Sequence, residues 1–322
     1  MKFSLVTLGV SSASPTTNRY PSAHILNVCG RLFLIDCGEG TQMLLKRYHI
    51  SMLKISRIFI SHLHGDHLFG LFGLLSSMAL SGRKEKLYLY GPESLSGVLQ
   101  FYIDYFVDDP SYEMEFIPVS LGDKGVIYED EQIKVEAFPL YHLKETYGYL
   151  FSEHPPKVNV KKELVSSENL SIEEILTLKS EKDVIRRDKT LFWRDCTYLP
   201  YSPRSFAYCS DTAYNESVAN YVKGVDLLYH EATFGSEFED LAESRYHSTA
   251  PQAAMIALKG EVGKLVIGHY SSRYANTDYL LGQAKEIFPE TYAADTGLEF
   301  EIPLKVHRAE PDRKDLEKKD NL

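Results

Sequence analysis

The stretch Ile55-Ser56-Arg57-Ile58-Phe59-Ile60-Ser61-His62-Leu63-His64-Gly65-Asp66-His67 decides how the rest of the chain is read. Its apolar first half predicts a short strand buried on both faces, and the polar half begins where that strand should end. His62, His64, Asp66 and His67 then crowd into six residues. His62 and His64, two apart, can converge on one ion from an extended turn, while Asp66 and His67 face a neighbouring one. Gly65 is expected to let the backbone bend between the pairs without a Cβ clash. Leu68-Phe69-Gly70-Leu71-Phe72-Gly73-Leu74-Leu75 leads into a buried helix, which would set the ligands on a rigid strand-to-helix junction. The bland alternative is a polar loop with one satisfied histidine. Three histidines and an aspartate this close are costly in a loop without a task.

Around this stretch lies a chain of 322 residues, 44% apolar, enough for one large domain or two halves of ordinary size. No run approaches the ~20 apolar residues of a membrane span, and Met1-Lys2-Phe3-Ser4-Leu5-Val6 lacks a secretion signal's apolar region. The expected setting is therefore the cytoplasm, with no membrane partner. Four cysteines, Cys29, Cys37, Cys196 and Cys209, form no CxxC pair, which fits packing residues in a reducing compartment. A formal charge of −10 excludes a generally basic coat. Any polyanionic partner must be held by a local patch or by metal.

Taken in order, Phe3 to Val10 alternates as a strand, and His24 to Asn27 with Leu32 to Ile35 make a hairpin around Cys29-Gly30. Asp36-Cys37-Gly38-Glu39-Gly40-Thr41-Gln42 is a glycine-bracketed acidic turn before a helix over Met43 to Tyr48. Asp36 has two readings, support for the histidine cluster or a turn cap. After the cluster come a strand over Lys86 to Pro92 and a helix over Leu95 to Phe106 with an aromatic stripe read as core. Met114 to Val119, Gly125 to Tyr128 and Ile133 to Phe138 predict an antiparallel meander delivering His142. Gly148 to Phe151 is the next strand.

From Ser152 to Pro203 the pattern changes to a polar segment with one short amphipathic piece, Ile172 to Leu178. Between Phe151 and Thr190 eight basic residues face eight acidic ones, so the segment is neutral inside an acidic chain. An insertion this long is a binding appendage or disordered, and the appendage is favoured. Order returns with a strand ending at Asp211, a helix around Val218 to Val222, and a strand ending in His230-Glu231. Thr249 and Gln252 have capping-box spacing at the start of the helix Ala250 to Leu258. The strand Lys264 to His269, the helix Asp278 to Phe288 and the strand Leu298 to Ile302 follow. Beyond Lys305 the charged tail is expected to be disordered.

Strand ends thus supply His62, His64, Asp66, His67, His142, Asp211 and His269. In a layered α/β protein such ends lie along one edge, where residues distant in sequence meet. Imidazole and carboxylate ligands without thiolate suit Zn²⁺, or Mn²⁺ or Fe. Seven ligands suit two ions if Asp211 bridges. His62, His64 and His142 then hold one, and Asp66, His67 and His269 the other, each with a position free for a shared water. Two ions about 4 Å apart suit phosphodiester hydrolysis by in-line attack. Asp66 is read as metal ligand and proton acceptor together. Glu231 and His247 are candidates for protonating the leaving oxygen or relaying its proton; as alternatives, His247 makes a helix-start hydrogen bond and Glu231 supports a ligand. His230 is read as core or support, His24, His49 and His307 as incidental, and His154 and Trp193 as without special role.

His62-Leu63-His64-Gly65-Asp66-His67 resembles the signature of metallo-β-lactamase-fold hydrolases, and Leu68 to Leu75 extends it toward the ribonuclease Z family. Leu8-Gly9, Ser11 to Thr16, Ile35 to Gln42, Ser210-Asp211-Thr212, His230-Glu231-Ala232-Thr233, His247-Ser248-Thr249 and Gly268 to Tyr274 match in the same order. The resemblance implies a four-layer αβ/βα sandwich over 1–305, with a flexible substrate-binding arm inserted at 152–203 and a tail over 306–322. It further implies two Zn²⁺ per chain held by the seven ligands, with Asp66 as proton acceptor and Glu231 and His247 as catalytic support. The expected reaction is endonucleolytic removal of the 3′ trailer from precursor tRNA by a homodimer, leaving a tRNA 3′-hydroxyl and a trailer 5′-phosphate. A small-molecule phosphodiesterase on the same scaffold is the alternative, mildly favoured by the acidic balance. A non-catalytic RNA-binding subunit would lack ligands that are all present here.

Overall fold

A computed structural model describes residues 2–107, 110–120, 122 and 124–307. The tail expected to be disordered falls almost wholly outside them. The chain divides into two compact units, one built from Met1–Ser152 and Arg204–Pro303, the other from Glu153–Pro203 and the segment beginning at Leu304.

The first unit is built on two seven-stranded sheets. One runs, in spatial order, Leu298–Glu301, Phe3–Gly9, Ala23–Val28, Arg31–Cys37, Ile55–Phe59, Leu87–Pro92 and Met114–Val119. The other runs Thr291–Ala293, Leu265–Gly268, Leu227–Glu231, Ser205–Cys209, Thr146–Glu153, Ile133–Leu140 and Gly125–Glu129. The strand Ile55–Phe59 is paired in parallel on both sides, as a short apolar strand buried on two faces requires. Side-chain alternation builds the layers. Phe33 and Ile35 join the core between the sheets, while their neighbours Leu32 and Leu34 join the core under the helices. Across the first interface Phe151 of one sheet meets Phe33 at 6.0 Å and Phe59 at 5.2 Å. Helices Leu71–Leu80 and Leu95–Phe106 pack on the outer face of the first sheet through Leu74, Leu75, Leu95 and Leu99, and Ala250–Lys259 and Asp278–Ile287 cover the second. The result is a four-layer αβ/βα sandwich.

One expectation needs correction. Met114–Val119 is not part of a meander, because it pairs in parallel with Leu87–Pro92 in the first sheet, whereas Gly125–Glu129 starts the second by pairing antiparallel with Ile133–Leu140. Alternation along a strand reports which face is buried but not which sheet it joins. The short strand Thr291–Ala293 and the helix Glu239–Ser244 were also not anticipated.

In the second unit, the expected amphipathic piece is the helix Ile172–Lys179, started by a reciprocal Ser171/Glu174 capping box. It is joined by the helix Lys162–Ser167 and by two short antiparallel pairs, Asn159–Val160 with Thr197–Tyr198 and Val184–Ile185 with Thr190–Leu191. Leu170, Leu178, Val184, Leu191 and Cys196 form a small core of its own. Arg186 pairs bidentately with Glu174, at 2.7 and 2.8 Å. The segment's charge balance is therefore partly internal. Among the described residues no helix is long and apolar enough to cross a membrane.

Candidate metal centre and cleft

The C-terminal ends of Ile55–Phe59, Ile133–Leu140, Ser205–Cys209 and Leu265–Gly268 deliver His62, His64, Asp66, His67, His142, Asp211 and His269 to one place. Asp211 divides them. Its Oδ2 lies 3.6 Å from His62 Nε2 and 3.8 Å from His142 Nε2, and His64 Nδ1 closes that group at 3.0 and 3.2 Å from the same two nitrogens. Its Oδ1 lies 3.3 Å from His67 Nε2 and 3.2 Å from His269 Nε2, and Asp66 Oδ2 closes the second group at 3.5 and 3.4 Å. A tetrahedral ion with ligands at about 2.0–2.1 Å has ligand–ligand edges of roughly 3.3–3.4 Å, so both groups match such a cage.

The hydrogen-bond network fixes which ring nitrogens carry protons. His142 Nδ1 faces the Tyr246 carbonyl at 2.8 Å and His67 Nδ1 faces Asp36 Oδ2 at 2.7 Å; both partners only accept, so both nitrogens donate. Ser61 Oγ donates to Asp36 Oδ2 at 2.9 Å and therefore accepts from His62 Nδ1 at 3.0 Å. Thr233 Oγ1 donates to Glu231 Oε2 at 2.7 Å and accepts from His269 Nδ1 at 2.9 Å. Each Nε2 is thus left as a lone pair. His67 Nε2 and His269 Nε2 then face each other at 3.3 Å, and Asp211 Oδ1 is buried without a hydrogen-bond partner among the described residues. Converging lone pairs and an orphaned carboxylate oxygen in a buried site call for a cation, so the residues present fit a pair of divalent metal ions.

The surrounding residues settle several open readings. Asp36 is fully buried and accepts from Ser61, His67 and Tyr208, so it supports the cluster. Gly65 opens a helical turn, and the Cβ it lacks would lie 2.3 Å from the Phe69 ring; the glycine makes room for that ring rather than for a bend. In the acidic turn, Gly38 has a similar cause, since its Cβ would lie 2.5 Å from the Asp66 carbonyl oxygen, whereas Gly40 is required by its φ of 85°. His230 is core, with its Nδ1 2.7 Å from the Glu231 carbonyl, and His24 is buried against the rings of Tyr208 and Tyr229. His49 is exposed, and His307 bonds Ser202 in the second unit. All four cysteines are free.

Glu231 and His247 form a unit beside the cage. Glu231 is fully buried; its Oε1 accepts from Thr212 N, Ser248 N and His247 Nδ1, and its Oε2 from Thr233 N and Oγ1. Burial alone would lower the His247 pKa, but the Glu231 carboxylate at 2.9 Å and the nearby Asp211 outweigh it and raise it to about 9. Burial would raise the Glu231 pKa, and charge on His247 holds it below the usual carboxylate value instead. The raised pKa keeps His247 charged near neutral pH, with its Nδ1 committed to Glu231.

These groups open into a cleft of about 650 Å³ that also carries Ser12, Phe69, Phe234, Arg245 and Arg273. The two arginines place positive charge on its walls; Arg273 belongs to the matched Gly268 to Tyr274 segment, whereas Arg245, a lone basic residue after the helix Glu239–Ser244, carried no such signal. Arg273 is steadied over the rings of Phe234 and Phe238, at 5.7 and 5.6 Å. The Ala13 amide, inside the matched Ser11 to Thr16 segment, donates to Asp66 Oδ2 at 2.7 Å, a role that the residue type of a backbone donor does not disclose.

Comparison with known proteins follows this geometry. Residues 3–198 match the family model described as Anti-Pycsar protein Apyc1, and the chain belongs to that sequence family; the match ends before Asp211, Glu231, His247 and His269. The Ribonuclease Z of Cytophaga hutchinsonii is 42% identical over 308 residues, 95% of this chain and 98% of the relative. That of Phocaeicola vulgatus is 37% identical over 302 residues, 94% and 98% of the two chains. In structure, the short form of human tRNase Z superposes with a TM-score of 0.69 at 24% identity, covering 93% of this chain and 99% of the other. Because the relatives span both halves of the site, they describe it more completely than the model that stops at residue 198. A bridging aspartate between two histidine-rich cages on an αβ/βα sandwich, matched end to end by such relatives, makes this chain a member of the ribonuclease Z family of metallo-β-lactamase-fold hydrolases.

Proposed function

We propose that this protein is a metal-dependent endoribonuclease that removes the 3′ trailer from precursor tRNA, leaving a 3′-hydroxyl on the tRNA and a 5′-phosphate on the trailer. The observation that carries the reading is Asp211, whose two oxygens face two separate cages at the floor of one cleft. The seven ligands would hold two Zn²⁺, with Mn²⁺ or Fe as substitutes. When bound, such ions supply Lewis acidity and a water nucleophile of lowered pKa.

The chain's own residues then have distinct tasks. Asp66, held by the Ala13 amide, orients the attacking water and accepts its proton. Arg245 and Arg273 attract the phosphate backbone into the cleft. His247, kept charged and aimed by Glu231, gives its proton to the departing 3′-oxygen as the phosphorus–oxygen bond breaks. Residues 152–203 serve as the arm that grips the tRNA body within a hydrolase domain over 1–305. The enzyme works as a homodimer in the cytoplasm, and light scattering would give twice the 36.7 kDa of one chain.

The test is to incubate the zinc-loaded protein with a 3′-extended precursor tRNA and, separately, with an unstructured RNA of equal length. Cleavage of the precursor with little cutting of the unstructured strand is expected. No cut in the precursor, alongside brisk turnover of a small diester, would move the assignment to small-molecule phosphodiester hydrolysis, the reading an overall charge of −10 favours.

A further inference from the structure

Beside the main cleft lies a second cavity of about 400 Å³, lined by Tyr141, Tyr214, Tyr246, Glu239 and Glu243, with His247 on the walls of both. Tyr141 is 57% exposed although it directly precedes a buried metal-ligand candidate. Its backbone is pinned on both sides, the amide donating to Thr212 Oγ1 at 3.1 Å and the carbonyl accepting from Ala213 N at 2.8 Å. Its ring meets Tyr246 edge-on, centroids 5.3 Å apart. Tyr246 is held at φ 57°, a left-handed conformation strained for a non-glycine residue, and its carbonyl orients His142. Two aromatic rings are thus fixed by the same backbone that orders the cage.

We infer that Tyr141 and Tyr246 form the stacking wall of a pocket for one nucleobase, that of the last nucleotide retained by the tRNA. The inference rests on the proposed reaction, because in that reaction His247 protonates the 3′-oxygen of this nucleotide. The base of the nucleotide that carries the leaving oxygen must therefore lie on the His247 side of the cleft, next to this cavity. The carboxylates of Glu239 and Glu243 on the same walls repel phosphate, so the occupant is the base and not the backbone. An aromatic face accepts any base, and acidic rims favour bases that present an exocyclic amine.

The test is a cycle of two enzymes and two substrates. Precursor tRNA with either its normal last nucleotide or an abasic one at that position is cut under kcat/KM conditions by the wild type and by Tyr141→Ala, with Tyr141→Phe as the conservative control. The normal substrate should lose roughly tenfold with Tyr141→Ala and keep near wild-type rates with Tyr141→Phe. The abasic substrate should cost the wild type a similar factor and leave Tyr141→Ala within about twofold of it. Equal loss on both substrates, or no loss on either, overturns the inference while the cleavage reaction stands. Failure of the wild type to cut the normal precursor overturns both.

Discussion

Asp66 and His247 face the same cleft, and the proposed reaction gives them opposite proton duties. Asp66 Oδ2 accepts from the Ala13 amide at 2.7 Å, and a hydrogen bond to a carboxylate favours its charged form. Replacing Asp66 by Ala should reduce hydrolysis of precursor tRNA and of a small diester alike by at least about a thousandfold, with circular dichroism unchanged, since both substrates depend on the same ion ligand and proton acceptor. His247 is the charged donor because of Glu231. In the metal-free protein its ring should titrate by NMR near pH 9, and Glu231→Gln should bring that value down to the ordinary 6.5 or below, where burial alone would put it. The sign follows for stability as well. His247 binds its proton more tightly folded than unfolded, so the pair's contribution is full below about pH 6.5 and is lost as pH rises through about 9. An unchanged His247 titration in Glu231→Gln would show that the carboxylate does not hold the charge.

At the scale of elements, the strand ends were the legible part of this chain. A strand such as Lys264 to His269 or Ser205 to Asp211 announces itself by an apolar run and a polar stop, and the parallel pairing of Ser205–Cys209, Leu227–Glu231 and Leu265–Gly268 brings those stops to one edge. The placement of Met114–Val119 was not legible, because the same alternation suits either sheet and only the long-range partner decides. Nor was the small core of the inserted unit, whose five buried residues are scattered among charges without a period. Its attachment gives a direct test. Ser152 and Ser205 are register partners across two antiparallel strands, so their Cα atoms lie about 4.5–5.5 Å apart and a short glycine-containing turn can rejoin them. Replacing residues 154–203 with such a turn should spare turnover of bis-p-nitrophenyl phosphate to within a few-fold and cut the rate on precursor tRNA by at least about tenfold. Equal loss on both substrates would make the segment a scaffold and not an arm.

For the whole molecule, the cages are a feature of the fold whose energy is incomplete without cations. Facing imidazole lone pairs and an unpartnered Asp211 oxygen oppose folding until a divalent ion joins them. Zinc at a hundredfold excess over its Kd should therefore stabilise the protein by about 2.7 kcal/mol per site, seen as a rise in Tm of several degrees that chelation reverses. Asp211→Asn, which removes the shared charge, should abolish most of that rise, and a Tm indifferent to both zinc and chelator would contradict the cages. With a total charge of −10, a polyanionic substrate must be met locally, by the cleft arginines and by the cations the cages would hold. The measurement that bears most directly on the account is the chemistry of the ends made when the zinc-loaded protein meets a 3′-extended precursor tRNA. A single cut at the base of the trailer, with a 3′-hydroxyl on the tRNA and a 5′-phosphate on the released fragment, is the predicted result. A 2′,3′-cyclic phosphate, stepwise loss of single nucleotides, or no cut at all would contradict it.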